Sequence, residues 1–429
     1  MFKTKSENRS QDECSDGTES FVHIMNDIDI TNETTLDLKI TPRHNTIGRE
    51  AQQVETHFCA TVTAHDLPDD DSIRAPVDII VALDTSSSMN GRKLERCKET
   101  LTLLLRELSV RDRFGLVTFG SNATIQIPTR KLTKDNKEIA IRKIKGLRSR
   151  GGTNLSGGIG LAAQEWQSIE SPNEVQTIFL LTDGLANRGV SNREGIIQLT
   201  KGCLVSGKDQ APLAIHCFGY GSDHETEMLR DISQVTEGGS YYFVEKDSDV
   251  SSAFGDALGG ILSVVAQNTV LTFNASNEFG IRINSIMHDK AVKQENGSFT
   301  VDIGDFYAEE SRDVVCSIAL ASGSDFGLKS VPHISVSMTY MDTINKKLAK
   351  CKVVEGSISR PNGDEVSQVN KHVALQYIRV STTTVIADAE KMAAAGNRVH
   401  AKSKINAQIK YLSRESTTFG KSDPLISQL

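Results

Sequence analysis

Five oxygen-bearing side chains fall in three short patches of this 429-residue chain: Asp84, Ser86 and Ser88 in VALDTSSSMNG, Thr153 in RGGTNLSGG, and Asp183 in TIFLLTDGLAN. Carboxylate and hydroxyl oxygens without a cysteine or histidine among them suit a hard cation, Mg²⁺, Mn²⁺ or Ca²⁺, rather than zinc. In the Asp-x-Ser-x-Ser spacing, alternate side chains point inward while the backbone turns around an ion. Two carboxylates and three hydroxyls leave that ion residual positive charge and at least one open position, which an acidic group from another molecule would complete. Each patch alone reads more plainly as loop chemistry: Thr153 could cap a helix starting near Asn154, and Asp183 could close a turn. The order of the patches and their setting favour a shared site.

That setting is a series of strands and helices. The runs at 77–83 and 177–181 are short and rich in Val, Ile and Leu, as buried parallel strands are. In an open α/β sheet, ligands collect at the carboxyl ends of such strands. Gly151 and Gly152 ahead of Thr153 permit a close backbone approach, and Gly184 after Asp183 is a turn residue. Leu94, Cys97, Leu101, Leu104, Leu105 and Leu108 recur at helical spacing. RFGLVTFG reads as the next strand, TIQIP as a short edge strand stopped by Pro128, and KEIAIRKIKGL as a second helix. Helices over 156–169, 193–206, 224–236 and 248–265 then alternate with strands over 177–182, 213–219 and 240–244. This pattern predicts a mostly parallel sheet covered on both faces, with the strand before Asp84 central.

The set Asp84-Thr-Ser86-Ser-Ser88, Thr153 and Asp183 resembles the metal-ion-dependent adhesion site (MIDAS) of von Willebrand factor type A (VWA) domains. The stretch RAPVDIIVALDTSSSMNGRKLERCKETLTLLLRELSVRDRFGLVTFGSNA is similar to a mostly intracellular subgroup of that family, including members joined to RING or U-box modules. The resemblance is strong over about 75–262. It implies a Rossmann-like domain whose top face binds a protein through a bound metal, often by capturing an acidic side chain. No RING or U-box signature is present, so ligase activity is not carried over.

Outside the α/β region the rhythm changes. Residues 35–66 hold two alternating stretches, Leu36-Leu38-Ile40 and Phe58-Ala60-Val62, and from 267 onward TVLTFNA, FGIRINSIM, GSFTVDIG, RDVVCSIALA, HISVSMTYMD and KLAKCKVVEG read as a β-sandwich. Two strands alone are not independently stable, so the N-terminal pair is expected to join that sandwich, with the metal domain inserted between its strands. Residues 371–413 return to helical patterning around Gly396-Asn397, a C-cap and turn signal. The expected organisation is a disordered polar tail over 1–34, sandwich strands in 35–74, a VWA domain over 75–265, a β-sandwich over 266–365, a helical hairpin over 366–415 and a flexible tail over 416–429.

Composition excludes several classes. A net charge of -7 argues against nucleic acid as a default partner. No apolar run approaches the roughly 18 to 20 residues of a spanning helix, and the first twenty residues lack the apolar stretch of a secretory signal. The seven cysteines are odd in number, scattered and free of Cys-x-x-Cys, which disfavours a disulfide scaffold or zinc finger and suggests a cytoplasmic location. The glycines of GGTNLSGGIG lack the Gly-Lys-Ser/Thr of a P-loop. No Gly-x-Ser-x-Gly elbow surrounds Ser86 or Ser88, and His216 in LAIHCFGYG reads as a core histidine. Within the basic run ahead of Gly151, Arg148 and Arg150 are candidates to steer an acidic partner. The expectation is a non-enzymatic, Mg²⁺-dependent (or Mn²⁺- or Ca²⁺-dependent) protein-binding module. An interaction scaffold with a silent metal site and a metal-dependent hydrolase are the alternatives.

Overall fold

The computed structural model describes residues 35–51, 55–66, 73–183, 186–204, 213–221, 224–245, 249–276, 281–320 and 331–419. The segment 1–34, expected to be a polar tail, and Gly184 lie outside them. Apolar–polar alternation in LDLKITP and ETHFCATVTA builds two antiparallel strands, β1 (Leu36–Pro42) and β2 (Glu55–Ala64), with Leu36 opposite Ala64. The chain then enters β3 (Val77–Asp84), which is buried at every residue. Its entry is pinned by Asp112, fully buried, which accepts both Arg74 guanidinium nitrogens at 3.0 and 2.6 Å and the Val77 amide at 2.9 Å.

After β3 come helix α1 (Arg92–Glu107), strands β4 (Arg113–Phe119) and β5 (Ala123–Lys131), helices α2 (Lys134–Lys145) and α3 (Leu155–Gln167), and strand β6 (Val175–Thr182). Helix α4 (Arg193–Leu204), strand β7 (Leu213–Tyr220), helix α5 (Thr226–Ser233), strand β8 (Tyr241–Val244) and helix α6 (Asp249–Leu262) follow. The sheet order is β5-β4-β3-β6-β7-β8, parallel throughout except for β5, so β3 is internal. Because side chains alternate across a strand, Ile79, Val81 and Leu83 pack with α1, α2 and α6, while Ile80 and Ala82 pack with α3, α4 and α5. Because both faces are covered, β3 and β6 are rich in Val, Ile and Leu, and the polar residues inside them, Asp78, Gln176 and Thr177, are buried too.

The second unit is a sandwich. Strands β9 (Val264–Ala275), β10 (Arg282–Ile286), β11 (Ala291–Lys293), β12 (Phe299–Tyr307), β13 (Ser311–Ala319), β14 (Val331–Asp342), β15 (Lys347–Lys350) and β16 (Val354–Ile358) divide between two sheets. One has the order β1-β2-β13-β10, the other β11-β12-β9-β14-β15 with β16 also on β14. Phe58, Val62 and Cys316 of the first sheet share one core with Phe273, Val336 and Tyr340 of the second. The N-terminal strands and those after residue 264 therefore bury a common face. Two antiparallel helices, α7 (Lys371–Ala394) and α8 (Arg398–Phe419), complete the chain, with Val373 of α7 packed on Cys59 and Val315.

Several expected boundaries move. Strand β5 continues through Pro128, because the ladder shifts register between Phe114 and Leu116 and leaves 128–129 in a bulge where no ladder N–H is needed. Helix α6 ends at Leu262, and the β-branched pair Val264-Val265 starts β9 inside the span read as helix. KLAKCKVVEG splits into β15 and β16. Helix α8 reaches Phe419, into the segment expected to be flexible.

Candidate functional site

The polar ends of β3 and β6 lie side by side, since Leu83 is in register with Leu181. Asp84 ends β3 with its carboxylate fully buried; one oxygen accepts the Ser86 amide at 2.7 Å and the other the Thr182 hydroxyl at 2.7 Å. Burial pushes the Asp84 carboxyl above the ordinary aspartate value, with the nearby charge of Asp183 adding to the push. The donations from Thr182 and Ser86 offset part of it. Ser86 precedes a short 3₁₀ turn, Ser87–Met89, which points Ser88 back toward the sheet. The Ser86 and Ser88 hydroxyls are 2.9 Å apart, and Ser88 Oγ donates to Asp183 Oδ1 at 2.8 Å. Lys93, in the first turn of α1, places its ammonium on Asp183 Oδ2.

The Thr153 loop is strapped to the same strand end through the backbone. The Arg150 amide donates to Thr85 O at 2.7 Å and the Ser87 amide to Gly151 O at 3.0 Å. Gly151 takes φ +82, and a Cβ at Gly120 would stand 2.7 Å from Arg150 O, so this close approach requires glycine. Asn154, not Thr153, caps α3: its side chain accepts the Gly157 amide at 3.0 Å. The Asn187 side chain accepts the Thr153 amide at 2.9 Å, and the Asn187 and Arg188 amides return to Thr153 O. Thr153 is buried.

All five residues singled out in the sequence thus sit on three loops at one end of the sheet. Asp84, Ser86, Ser88 and Asp183 join through hydrogen bonds or neighbouring charge, and Thr153 is held by its loop against Thr85 and Ser87. Arg148 and Arg150 are exposed beside that loop. His216 is a buried core residue edge-on to Phe179, and burial lowers its pKa to about 4. Three residues of the site escaped the sequence reading. Thr182 was hidden in an apolar run, Asn187 in a loop, and Lys93 at a helix start where a basic residue carries no distinguishing signal. The donor set is entirely oxygen, the kind that holds Mg²⁺, Mn²⁺ or Ca²⁺.

The family described as the von Willebrand factor type A domain matches residues 78–256. Residues 78–256 are a VWA domain. The chain is 26% identical over 260 residues to the Arabidopsis thaliana protein named E3 ubiquitin-protein ligase WAV3, covering 59% of this chain and 32% of that one. It is 30% identical over 180 residues to human inter-alpha-trypsin inhibitor heavy chain H4, covering 41% of this chain and 19% of that protein. The match therefore spans less than a third of one relative's length and a fifth of the other's. Among solved structures, a von Willebrand factor type A protein from Catenulispora acidiphila superposes with a TM-score of 0.58 at 17% identity, covering 90% of this chain and 89% of that one. That likeness extends the shared fold well beyond the VWA domain. No helix among the described residues is long and apolar enough to cross a membrane.

Proposed function

We propose that this chain is a non-enzymatic binding protein whose VWA domain captures an acidic side chain of a partner protein through a divalent cation. Asp84, Ser86, Ser88, Thr153 and Asp183 would hold the ion, Mg²⁺ before Mn²⁺ or Ca²⁺, and Arg148 and Arg150 would draw the acidic partner toward it. The observation that carries the reading is the oxygen chain Ser86–Ser88–Asp183, closed at 2.9 and 2.8 Å beside the buried carboxylate of Asp84. Burial and the charge of Asp183 both disfavour the ionised form of Asp84, so a cation between the two carboxylates would be stabilised there, and the Lys93 ammonium already rests against Asp183.

The chain's own residues do the selecting. Neutral hydroxyls contribute lone pairs without quenching the ion's charge, so a carboxylate from outside still gains by binding. The cation supplies electrostatic attraction for that carboxylate and nothing else is asked of it. Affinity capture in Mg²⁺ with elution by EDTA tests the idea. Wild-type chain should release its partner into chelator, and Asp84→Ala should capture none while keeping its secondary structure and unfolding cooperativity. Undiminished capture by Asp84→Ala in excess chelator overturns the proposal.

A further inference from the structure

A second group of side chains able to hold a metal lies outside the VWA domain, where the helical pair meets the sandwich. In the β2–β13 ladder Cys59 faces Val315 and Thr61 faces Asp313, so the Cys59 and Asp313 side chains are diagonal neighbours on the face that α7 covers. His372, in the first turn of α7, closes over them. Cys59 Sγ is 3.4 Å from Asp313 Oδ1, His372 Nε2 is 3.0 Å from Asp313 Oδ2, and all three ligand atoms lie within 4.8 Å of one another. We propose that Cys59, Asp313 and His372 form a zinc-class metal site that clips α7 to the sandwich.

The chemistry differs from that of the VWA site. One sulfur, one imidazole nitrogen and one carboxylate oxygen are borderline-soft donors of the kind that zinc takes, whereas Mg²⁺ takes oxygen alone. Tetrahedral bonds of ordinary zinc length set ligand atoms roughly 3.5 Å apart, and small side-chain adjustments bring the three ligand atoms, now within 4.8 Å of one another, to that spacing. The site also balances charge: a thiolate and a carboxylate cancel the dication, and the imidazole stays neutral. Cys59 is buried and Asp313 nearly so, at 10% side-chain exposure, while His372 at 52% leaves a solvent side for a fourth, water ligand. Thr61 Oγ donates to Asp313 Oδ1 at 2.6 Å, which orients the carboxylate as outer partners of metal ligands do.

Without metal, burial first and the Asp313 carboxylate second push the Cys59 thiol up to about 12, so its proton is retained and directed at Asp313. The cation replaces that proton. Coordination forms the S–metal bond, breaks the S–H bond and releases one proton to solvent per ion bound. The three ligands come from two strands and one helix, so the ion ties the helical pair to the sheet.

Co²⁺ titration of the reduced full-length chain tests this, read by the thiolate-to-cobalt charge-transfer absorption that an all-oxygen site cannot give. The band should reach its plateau at one equivalent in the wild type and in Asp84→Ala, which disables the VWA site. Zn²⁺ should bleach it, and excess Mg²⁺ should leave it unchanged. Cys59→Ser should abolish the band, and His372→Ala, at an exposed position that leaves the fold intact, should weaken Co²⁺ binding at least about tenfold. No band in the wild type, a band that survives in Cys59→Ser, or unaltered affinity in His372→Ala each overturns the proposal. If Cys59→Ser fails to fold, the His372→Ala titration decides alone.

Discussion

The Lys93 ammonium and the Ser88 hydroxyl occupy opposite oxygens of the Asp183 carboxylate, so that each oxygen is already engaged by one of this chain's own side chains. Lys93 reaches it because Gly91, at φ +79, turns the chain sharply into α1. The side chain of Asp183 is fully buried while that of Lys93 is one-third exposed, so the lysine can swing out at modest cost. A cation entering the site must displace this ammonium or share the carboxylate with it. Removing a competing charge-assisted hydrogen bond of about 1.5 kcal/mol should raise Mg²⁺ affinity on the order of tenfold. Isothermal calorimetry of Lys93→Met against the wild type reads this directly. A loss of affinity would mean that Lys93 supports the ion rather than competing with it.

The strap that brings Thr153 to the site depends on glycine at position 120. Gly120 carries no ligand, yet a methyl group there would meet the carbonyl oxygen of Arg150 at 2.7 Å, and the Gly120 carbonyl accepts the Asn154 amide at 2.8 Å. Backbone cannot rotate away as a side chain can, so Gly120→Ala should lift the 150–153 loop from the 84–88 loop. The expected cost is about 1 to 3 kcal/mol of stability, with at least about a tenfold loss of Mg²⁺ affinity although all five side chains remain. Gly160 in α3 is the control, because nothing lies within 4 Å of a Cβ there. Gly160→Ala should stabilise the helix by roughly 0.5 to 1 kcal/mol and leave metal binding alone. Thermal denaturation and calorimetry on both variants separate the outcomes.

These two cases mark how far the sequence could be read. The ends of β3 and β6 announced themselves, since a strand covered on both faces is mostly apolar and the aspartates Asp84 and Asp183, directly after such runs, mark the carboxyl end of the sheet. The amphipathic stripe of α1 was equally visible, and Leu94, Cys97, Leu101, Leu104 and Leu105 are all buried. Lys93 was not visible, because its role depends on the direction in which α1 leaves Gly91, a tertiary fact. Nor did the run 248–265 reveal where helix gives way to strand. Leu262, Val264 and Val265 are apolar in both states, and the decision falls to pairing of β9 with β12 and β14. The role of Asn154 as cap of α3 was likewise undecided locally, since Thr153 offers a similar oxygen one residue earlier.

A largely buried acid, Asp305, lies between the VWA domain and the sandwich. Asp305 lines a cavity of about 50 Å³ together with His216, Glu237 and Gln267. Its carboxylate accepts the Asn268 amide at 3.1 Å and Gln267 Nε2 at 3.5 Å. These contacts do not offset desolvation, and burial pushes its pKa up to about 6, with Glu237 adding to the push. Because the folded-state value lies above that of the unfolded chain, the native state binds the extra proton more tightly between about pH 4 and pH 6. The stability contributed by Asp305 is therefore fully present below about pH 4, falls as pH rises through that window, and is flat above it. A shift of about two units corresponds to about 3 kcal/mol. Asp305→Asn keeps an acceptor oxygen for Asn268 but cannot ionise. Its stability relative to the wild type should climb from near zero at about pH 4 to about 3 kcal/mol above about pH 6. His216, held down at about 4 by burial, destabilises on acidification, but it does so in both proteins and cancels from the difference. Urea unfolding of the two chains across this range supplies the comparison. A difference that does not vary with pH would show that Asp305 titrates in the fold as it does in the open chain.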